Sequence, residues 1–428
     1  MQEHNPTPSK IPELLCPAGN LKKLKIALEY GADAVYGGVS HFSLRNRSGK
    51  EFDFESFKEG VEITHERGKK IYVTINGFPF NSQLKLLESH IEKMASLNPD
   101  AFIVSTPGVI RLSSQIAPQI PIHLSTQANV LNILDAQVFY ELGVKRIIAA
   151  RELSLKDAVE IKKALPDLEL EIFVHGSMCF AFSGRCLISA LQNGRVPNRG
   201  SCANDCRFDY EYYVRNPDNG VMMRLVEEEG IGTHIFNAKD LNLIEHLPLI
   251  LESGAIDSLK IEGRTKSSYY AGITAFAYKT ALQDYARGEF KGEKYMQELE
   301  TLKNRGFSDG YLVHRPFEKN NTQNHLTAIS EGSYQVNAEV GEEGKTALCR
   351  HTIRPGEPKE IVSAHWDSIR VGKNEIGEIF EEKGKKYLRL FKILLENGKE
   401  LESIHSGNEN AFVLPFALPP FSFLRQRI

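Results

Sequence analysis

The chain has 428 residues, 41% hydrophobic and 25% charged, a balance that excludes a mostly disordered, fibrous or membrane-embedded protein. Its 52 Lys and Arg against 55 Asp and Glu leave a formal charge of -3, so no global excess of positive charge advertises a nucleic acid or a membrane surface, and any basic patch has to be local. The opening Met-Gln-Glu-His-Asn-Pro has no basic segment followed by an apolar one, so a secretory leader is not expected and a cytoplasmic location is.

Residues 13–16 (Glu-Leu-Leu-Cys) read as the first strand, and Asn20 is placed to cap a helix with Leu21, Leu24 and Leu28 on one face. The same unit recurs. Short apolar strands are expected at 34–37, 71–75, 101–104, 122–124, 146–148, 170–174, 234–236 and 259–261, several entered through turns such as Gly31-Ala32-Asp33 and Asn98-Pro99-Asp100. Eight or nine such strands separated by helical segments suit an α/β fold, a (β/α) TIM-like barrel over residues 1–315.

Chemistry in that architecture gathers at the C-terminal ends of the strands. There stand Gly19 and Asn20, Gly37, Asn76, Ser105, Gln127 and Asn129, Arg151 and Glu152, His175, Asn237 and Asp240, then Glu262 and Arg264. Helix caps and turns favour the same residue types, so each position has a structural reading beside the functional one.

Past the seventh strand the pattern is interrupted by an insertion at about 176–232. Within it, 210–214 and 221–225 flank Asn216-Pro217-Asp218-Asn219-Gly220 and read as a hairpin. A polar linker is expected at 316–333. Beyond it, runs at 334–339, 360–364 and 387–395 with turns such as Asn397-Gly398 make a small C-terminal β-barrel-like domain over 334–428. The most apolar stretch, 411–424, is too short to span a bilayer and is broken by Pro415, Pro419 and Pro420, so it reads as a packed strand or turn and no membrane partner is expected.

The insertion holds four of the six cysteines: Cys179, Cys186, Cys202 and Cys206, spaced C-x6-C-x15-C-x3-C. Six cysteines in this length are too sparse for a disulfide scaffold. Four thiolates suit a 4Fe-4S cluster or a tetrahedral zinc, and buried or redox thiols are the third reading. A zinc ribbon uses two tight pairs, and only Cys202 and Cys206 form one, which favours iron–sulfur. Arg185, Arg195, Arg199 and Arg207 lie among the cysteines, where they offset a cluster's negative charge or bind an anionic substrate. Cys16, at a strand end, reads as a buried small hydrophobe.

Several segments together resemble a known family. They are Glu13-Leu14-Leu15-Cys16-Pro17-Ala18-Gly19, Gly31-Ala32-Asp33-Ala34-Val35-Tyr36, His123-Leu124-Ser125-Thr126-Gln127-Ala128-Asn129, the stretch from Phe173 through the cysteines to Arg207, and Ser258-Leu259-Lys260-Ile261-Glu262-Gly263-Arg264. They are similar to the bacterial collagenase-like peptidase family, above all to its tRNA-hydroxylating subgroup, strongly over residues 11–315 and loosely beyond. The resemblance implies oxygen-independent, prephenate-dependent hydroxylation of the tRNA wobble uridine to 5-hydroxyuridine, with Cys179, Cys186, Cys202 and Cys206 as cluster ligands. Cys16 and a short hairpin after Cys206 depart from the subgroup's pattern.

Hydroxylating an uncharged uracil ring needs an oxidant or oxygen donor that side chains cannot supply, so a cofactor is required. On this reading tRNA and a prephenate-like anion are the partners. Arg45, Arg47, Arg185, Arg199 and Arg264 are the candidate anion contacts, Gln127 and Asn129 further substrate contacts, and Lys260 and Lys266 weaker choices. His175 and Glu262 are the candidate proton carriers. A peptidase is the alternative: the chain has no His-Glu-x-x-His and no Gly-x-Ser-x-Gly, but a Cys–His pair such as Cys179 with His175 leaves no sequence signature. A non-catalytic RNA-binding scaffold with a structural metal is the third.

Overall fold

The computed structural model describes residues 11–39, 42–43, 51–179, 181–182, 186, 188–195, 202–208, 210–225, 238–314, 322, 330, 332–406 and 411–428. Seven parallel strands lie side by side in chain order: β1 (Glu13–Pro17), β2 (Ala34–Gly37), β3 (Lys70–Ile75), β4 (Ala101–Val104), β5 (Ile122–Leu124), β6 (Arg146–Ile148) and β7 (Glu169–Ser177). A hairpin of β8 (Tyr212–Arg215) and β9 (Met222–Leu225) follows, then β10 (Asp240–Asn242). The eighth barrel strand, β11 (Ser258–Ile261), pairs in parallel with both β7 and β1 and closes the ring. The expected strand at 234–236 lies outside the described residues.

Local sequence explains these elements. Barrel strands are covered on both faces, so β4 (Ala-Phe-Ile-Val) is apolar and buried throughout. Helices start where a side chain accepts a free N–H: Asn20 from Lys23 N at 3.0 Å, Asp53 in a reciprocal box with Ser56, and Thr106 ahead of Pro107.

β7 runs further than the apolar pattern of 170–174 suggests. Its end pairs antiparallel with β10, His175 against Asn242 and Ser177 against Asp240, and β10 pairs with β12 (Phe307–Ser308). A partner strand distant in sequence, not local hydrophobicity, supplies the hydrogen bonds that prolong it. Gly176 sits in this extension with φ +117°, and a Cβ there would lie 2.4 Å from the Glu262 carbonyl oxygen, so only glycine fits.

The C-terminal part is an eight-stranded antiparallel sheet curled around its own core of Ile353, Ile379, Leu388, Ile393 and Phe412. The run expected at 387–395 is two strands, Lys385–Leu390 and Ile393–Leu394, because the N–H groups of Phe391 and Lys392 turn aside to the Ile376 carbonyl. Residues 411–424 contribute Phe412, Phe423 and Leu424 to the interior, as expected of a packed strand. The sheet is seated on the barrel's helices. Phe423 packs at 5.8 Å and 5.1 Å, centroid to centroid, from Tyr30 and Tyr269, and Tyr30 OH donates to the carbonyls of Val362 and Phe421. Most of the linker at 316–333 lies outside the described residues, in which no helix is long and apolar enough to cross a membrane.

Candidate active site

The barrel interior carries charge near its N-terminal end. Arg146 on β6 donates to Glu13 Oε1 at 2.6 Å and to Glu171 Oε2 at 3.2 Å, and Tyr72 OH donates to the other Glu13 oxygen at 2.8 Å. Lys260 Nζ on β11 donates to Glu171 Oε1 at 2.8 Å, and His123 packs edge-on against Tyr72. Burial opposes ionisation of Glu13, but Arg146 outweighs it and holds the carboxyl below its usual range. Burial, with Arg146, Lys260 and Lys70 nearby, pushes His123 far down and keeps it neutral. The sequence reading passed over Glu13, Tyr72, His123, Arg146 and Glu171. A signal existed: Glu169-Leu170-Glu171-Ile172 places carboxylates at alternate positions of an apolar strand, the period of a barrel's inner face.

Two arrangements line the C-terminal mouth. One is neutral: Gln127 Oε1 accepts from Asn76 Nδ2 at 3.1 Å, from Ser105 Oγ at 3.1 Å and from Ser125 Oγ, while Gln127 Nε2 donates to the Asn76 carbonyl. Asn129 is a left-handed cap whose Nδ2 donates to the Gln127 carbonyl, so the two candidates act as one unit.

The other is cationic. Arg264 Nη1 donates to Ser43 Oγ at 2.7 Å and Thr74 Oγ1 at 2.9 Å, with the guanidinium 5.8 Å from the centre of the Tyr36 ring. Lys260 Nζ lies 4.3 Å from that same ring centre, and Arg151 lies 4.0 Å over Phe173. Beside Arg151, burial raises the Glu152 carboxyl above its usual range.

His175 and Glu262 stand together at the end of β7 and β11, where Glu262 N donates to the His175 carbonyl. His175 is enclosed by Tyr270, Tyr278 and Phe307, with Nδ1 buried and unbonded, and burial lowers its pKa to about 4 despite Asp240, Asn242 and Glu262. It is a neutral imidazole behind the mouth. Lys266 is also held down by burial, against Asp240 and Glu262, with Arg305 and Arg207 adding to the effect. Arg207 belongs to the cysteine loop.

The loop folds on itself. Asn193 Nδ2 donates to Asp205 Oδ1 at 2.8 Å, Ala203 N to Ser189 Oγ at 3.1 Å and Tyr210 OH to the Asp205 carbonyl at 2.7 Å. All six cysteines are free thiols. Burial pushes the Cys206 thiol up, and the thiols of Cys179, Cys202 and Cys186 add to the rise against Arg207. A soft metal centre held by these four residues would take them up as thiolates. The donor set fits a soft metal centre by its chemistry. Among the described residues no group of three or more His, Cys, Asp or Glu closes to metal-holding distance.

Cys16 is fully buried in the barrel wall. Among the described residues, Cys179 and His175 share no hydrogen bond. Arg45, Arg47, Arg185, Arg199 and Asn237 lie outside the described residues.

Residues 19–322 match the family model described as Peptidase family U32. The chain belongs to this family. A Helicobacter pylori protein named tRNA hydroxylation protein P is 69% identical over 97% of this chain and 99% of its own length. The Escherichia coli protein of the same name is 37% identical over 77% of this chain and 81% of its own. A Porphyromonas gingivalis protein named collagenase is 30% identical over 70% of this chain and 73% of its own. The matched span begins just after β1 and takes in the other seven barrel strands and the cysteine loop.

Proposed function

We propose that this U32 protein hydroxylates tRNA in the cytoplasm, converting the wobble uridine to 5-hydroxyuridine with a prephenate-like co-substrate and a 4Fe-4S cluster on Cys179, Cys186, Cys202 and Cys206. The observation that carries the reading is the 69% identity, over nearly the whole of both chains, to a relative named for tRNA hydroxylation. The residues at the barrel mouth support its base-binding and anion-binding parts. A neutral amide and hydroxyl network at Gln127 suits an uncharged base, and the cations at Arg264 and Arg151 suit carboxylates or phosphate.

Hydroxylation of the ring carbon is a two-electron oxidation with gain of one oxygen, which the side chains here do not perform by themselves. A bound iron–sulfur cluster supplies electron transfer or Lewis acidity. The chain's own residues orient and exclude: Arg264 holds an anionic group, Gln127 and Asn129 present hydrogen bonds, and Glu262 serves as the proton carrier. His175 is a neutral imidazole walled by aromatic rings, with Nδ1 buried.

The test compares tRNA nucleosides from a deletion strain complemented with wild type or with Cys202→Ala. Loss of 5-hydroxyuridine and its derivatives, restored by wild type alone, is expected; unchanged levels in the deletion strain overturn the reading. The peptidase reading rests on the 30% identical collagenase. Peptide cleavage by the purified protein, abolished in Cys179→Ala, would put it first.

A further inference from the structure

We propose that Ser43 and Thr74 are positioning residues whose paired hydroxyls fix the direction in which the Arg264 guanidinium receives the anionic group of the co-substrate, and that position 38 is glycine to leave them room. This rests on the reading of Arg264 as the anion contact and adds what aims its charge.

Thr74 lies on β3, and Ser43 on the segment after β2, which is tied to the turn beyond β3 where Gly77 N donates to the Phe42 carbonyl at 2.8 Å. Both side chains are 2% exposed, and their oxygens stand 2.5 Å apart. Thr74 Oγ1 donates to the Gly37 carbonyl at 3.0 Å, which uses its only proton, so the proton between the two hydroxyls is that of Ser43. Each oxygen then turns a lone pair to Arg264 Nη1, which has one N–H for Ser43 at 2.7 Å and one for Thr74 at 2.9 Å. Two acceptors on one nitrogen, brought from two segments of the chain, set the plane of a rigid guanidinium as well as its place.

The chemistry of these two partners separates Arg264 from the arginines that neutralise. Arg146 is set against Glu13 and Glu171, and Arg425 against Glu298 and Glu360, so carboxylates meet both charges inside the fold. The hydroxyls of Ser43 and Thr74 are neutral and orient the guanidinium without cancelling its charge, as an anion contact requires. Gly38 completes the device. The backbone there does not need glycine's left-handed freedom, but a Cβ would run into both Ser43 Oγ and Thr74 Oγ1, and the pair could survive it only by rotating away from Arg264.

Two readouts on the full-length protein test this. The first needs no co-substrate: phenylglyoxal, which condenses with two nitrogens of a guanidinium, is added and the modified arginines are mapped by peptide mass spectrometry. Arg264 is expected to react severalfold faster in Thr74→Val, which keeps the shape and removes the acceptor, and at close to the wild-type rate in Thr74→Ser. Equal reactivity of Arg264 in wild type and Thr74→Val overturns the positioning. The second is tRNA hydroxylation by cluster-loaded protein with prephenate varied. Loss of an acceptor from a charged donor is expected to raise the KM for prephenate roughly tenfold in Thr74→Val and in Gly38→Ala, with a smaller change in kcat. In an Arg264→Gln background Thr74→Val adds no further rise, whereas a merely structural role multiplies the effect again and overturns the proposal. Faster labelling of Arg264 with an unchanged KM leaves the hydroxyl contact in place and overturns Arg264 as the co-substrate's anion contact, so the two failures are told apart.

Discussion

Arg425 and Glu298 meet in a two-pronged ion pair, Nη1 to Oε2 at 2.8 Å and Nη2 to Oε1 at 2.9 Å, which ties the last strand of the C-terminal sheet to a helix of the barrel. The same guanidinium donates to Glu360 at 2.7 Å and Tyr269 OH at 2.7 Å and is 1% exposed. A planar fork with five donors makes these four hydrogen bonds to three partners that belong to both halves of the molecule.

Arg425→Ala strips the charge from a buried site and leaves Glu360 with Lys385 as its remaining cation. The expected loss is about 3–5 kcal/mol of unfolding free energy in a urea titration, with Arg425→Lys between that and wild type. A loss below about 1 kcal/mol would show that the junction contributes little.

The barrel's inner network behaves as a unit. Arg146→Met leaves Glu13 and Glu171 facing each other without their shared arginine and is expected to cost about 3–5 kcal/mol. Adding Glu13→Gln removes one of the stranded charges and recovers part of that loss. Strict additivity of the two substitutions contradicts the coupling.

Acid sensitivity has two windows. His175 has its folded pKa lowered to about 4 by burial, so the unfolded chain binds the proton first and stability falls as the pH drops from about 6.5 towards 4. His175 contributes up to about 3 kcal/mol of that fall, and His175→Asn flattens it, read as urea midpoints between pH 7 and 4.5. His123 acts in the same direction. Glu13, Asp33 and Glu360 are lowered carboxyls, for which cationic partners overcome burial. Their contribution is complete above the usual carboxylate range, near pH 4, and is lost below it. A midpoint independent of pH from 7 to 4.5 would rule out a neutral buried His175.

Thiol accessibility separates the cysteines. Native protein treated with iodoacetamide is expected to leave Cys16 unlabelled, since it is fully buried with its thiol raised by burial, while the half-buried loop cysteines react. Anaerobic loading with iron and sulfide then protects Cys179, Cys186, Cys202 and Cys206 together. Protection of only two of them points to a pair rather than a four-thiolate site.

The sequence by itself determined the elements of the barrel. Apolar runs such as Ala101-Phe102-Ile103-Val104 are strands because both faces are covered, and Asn20 caps its helix because a local N–H has nowhere else to go. The sequence offers site candidates where chemistry is local, in the cysteine spacing and in Gln127 and Asn129, which share one turn. Only the tertiary structure decided the rest. Glu13, Arg146, Glu171 and Lys260 lie up to 247 residues apart, and nothing in their neighbours says that ring closure brings them together. Arg264 reads as a polar residue at a strand end until Tyr36, Ser43 and Thr74 are seen around it. The lengthening of β7 follows the same rule: period and propensity are properties of a segment, whereas hydrogen-bond partners and dielectric surroundings are properties of the folded whole.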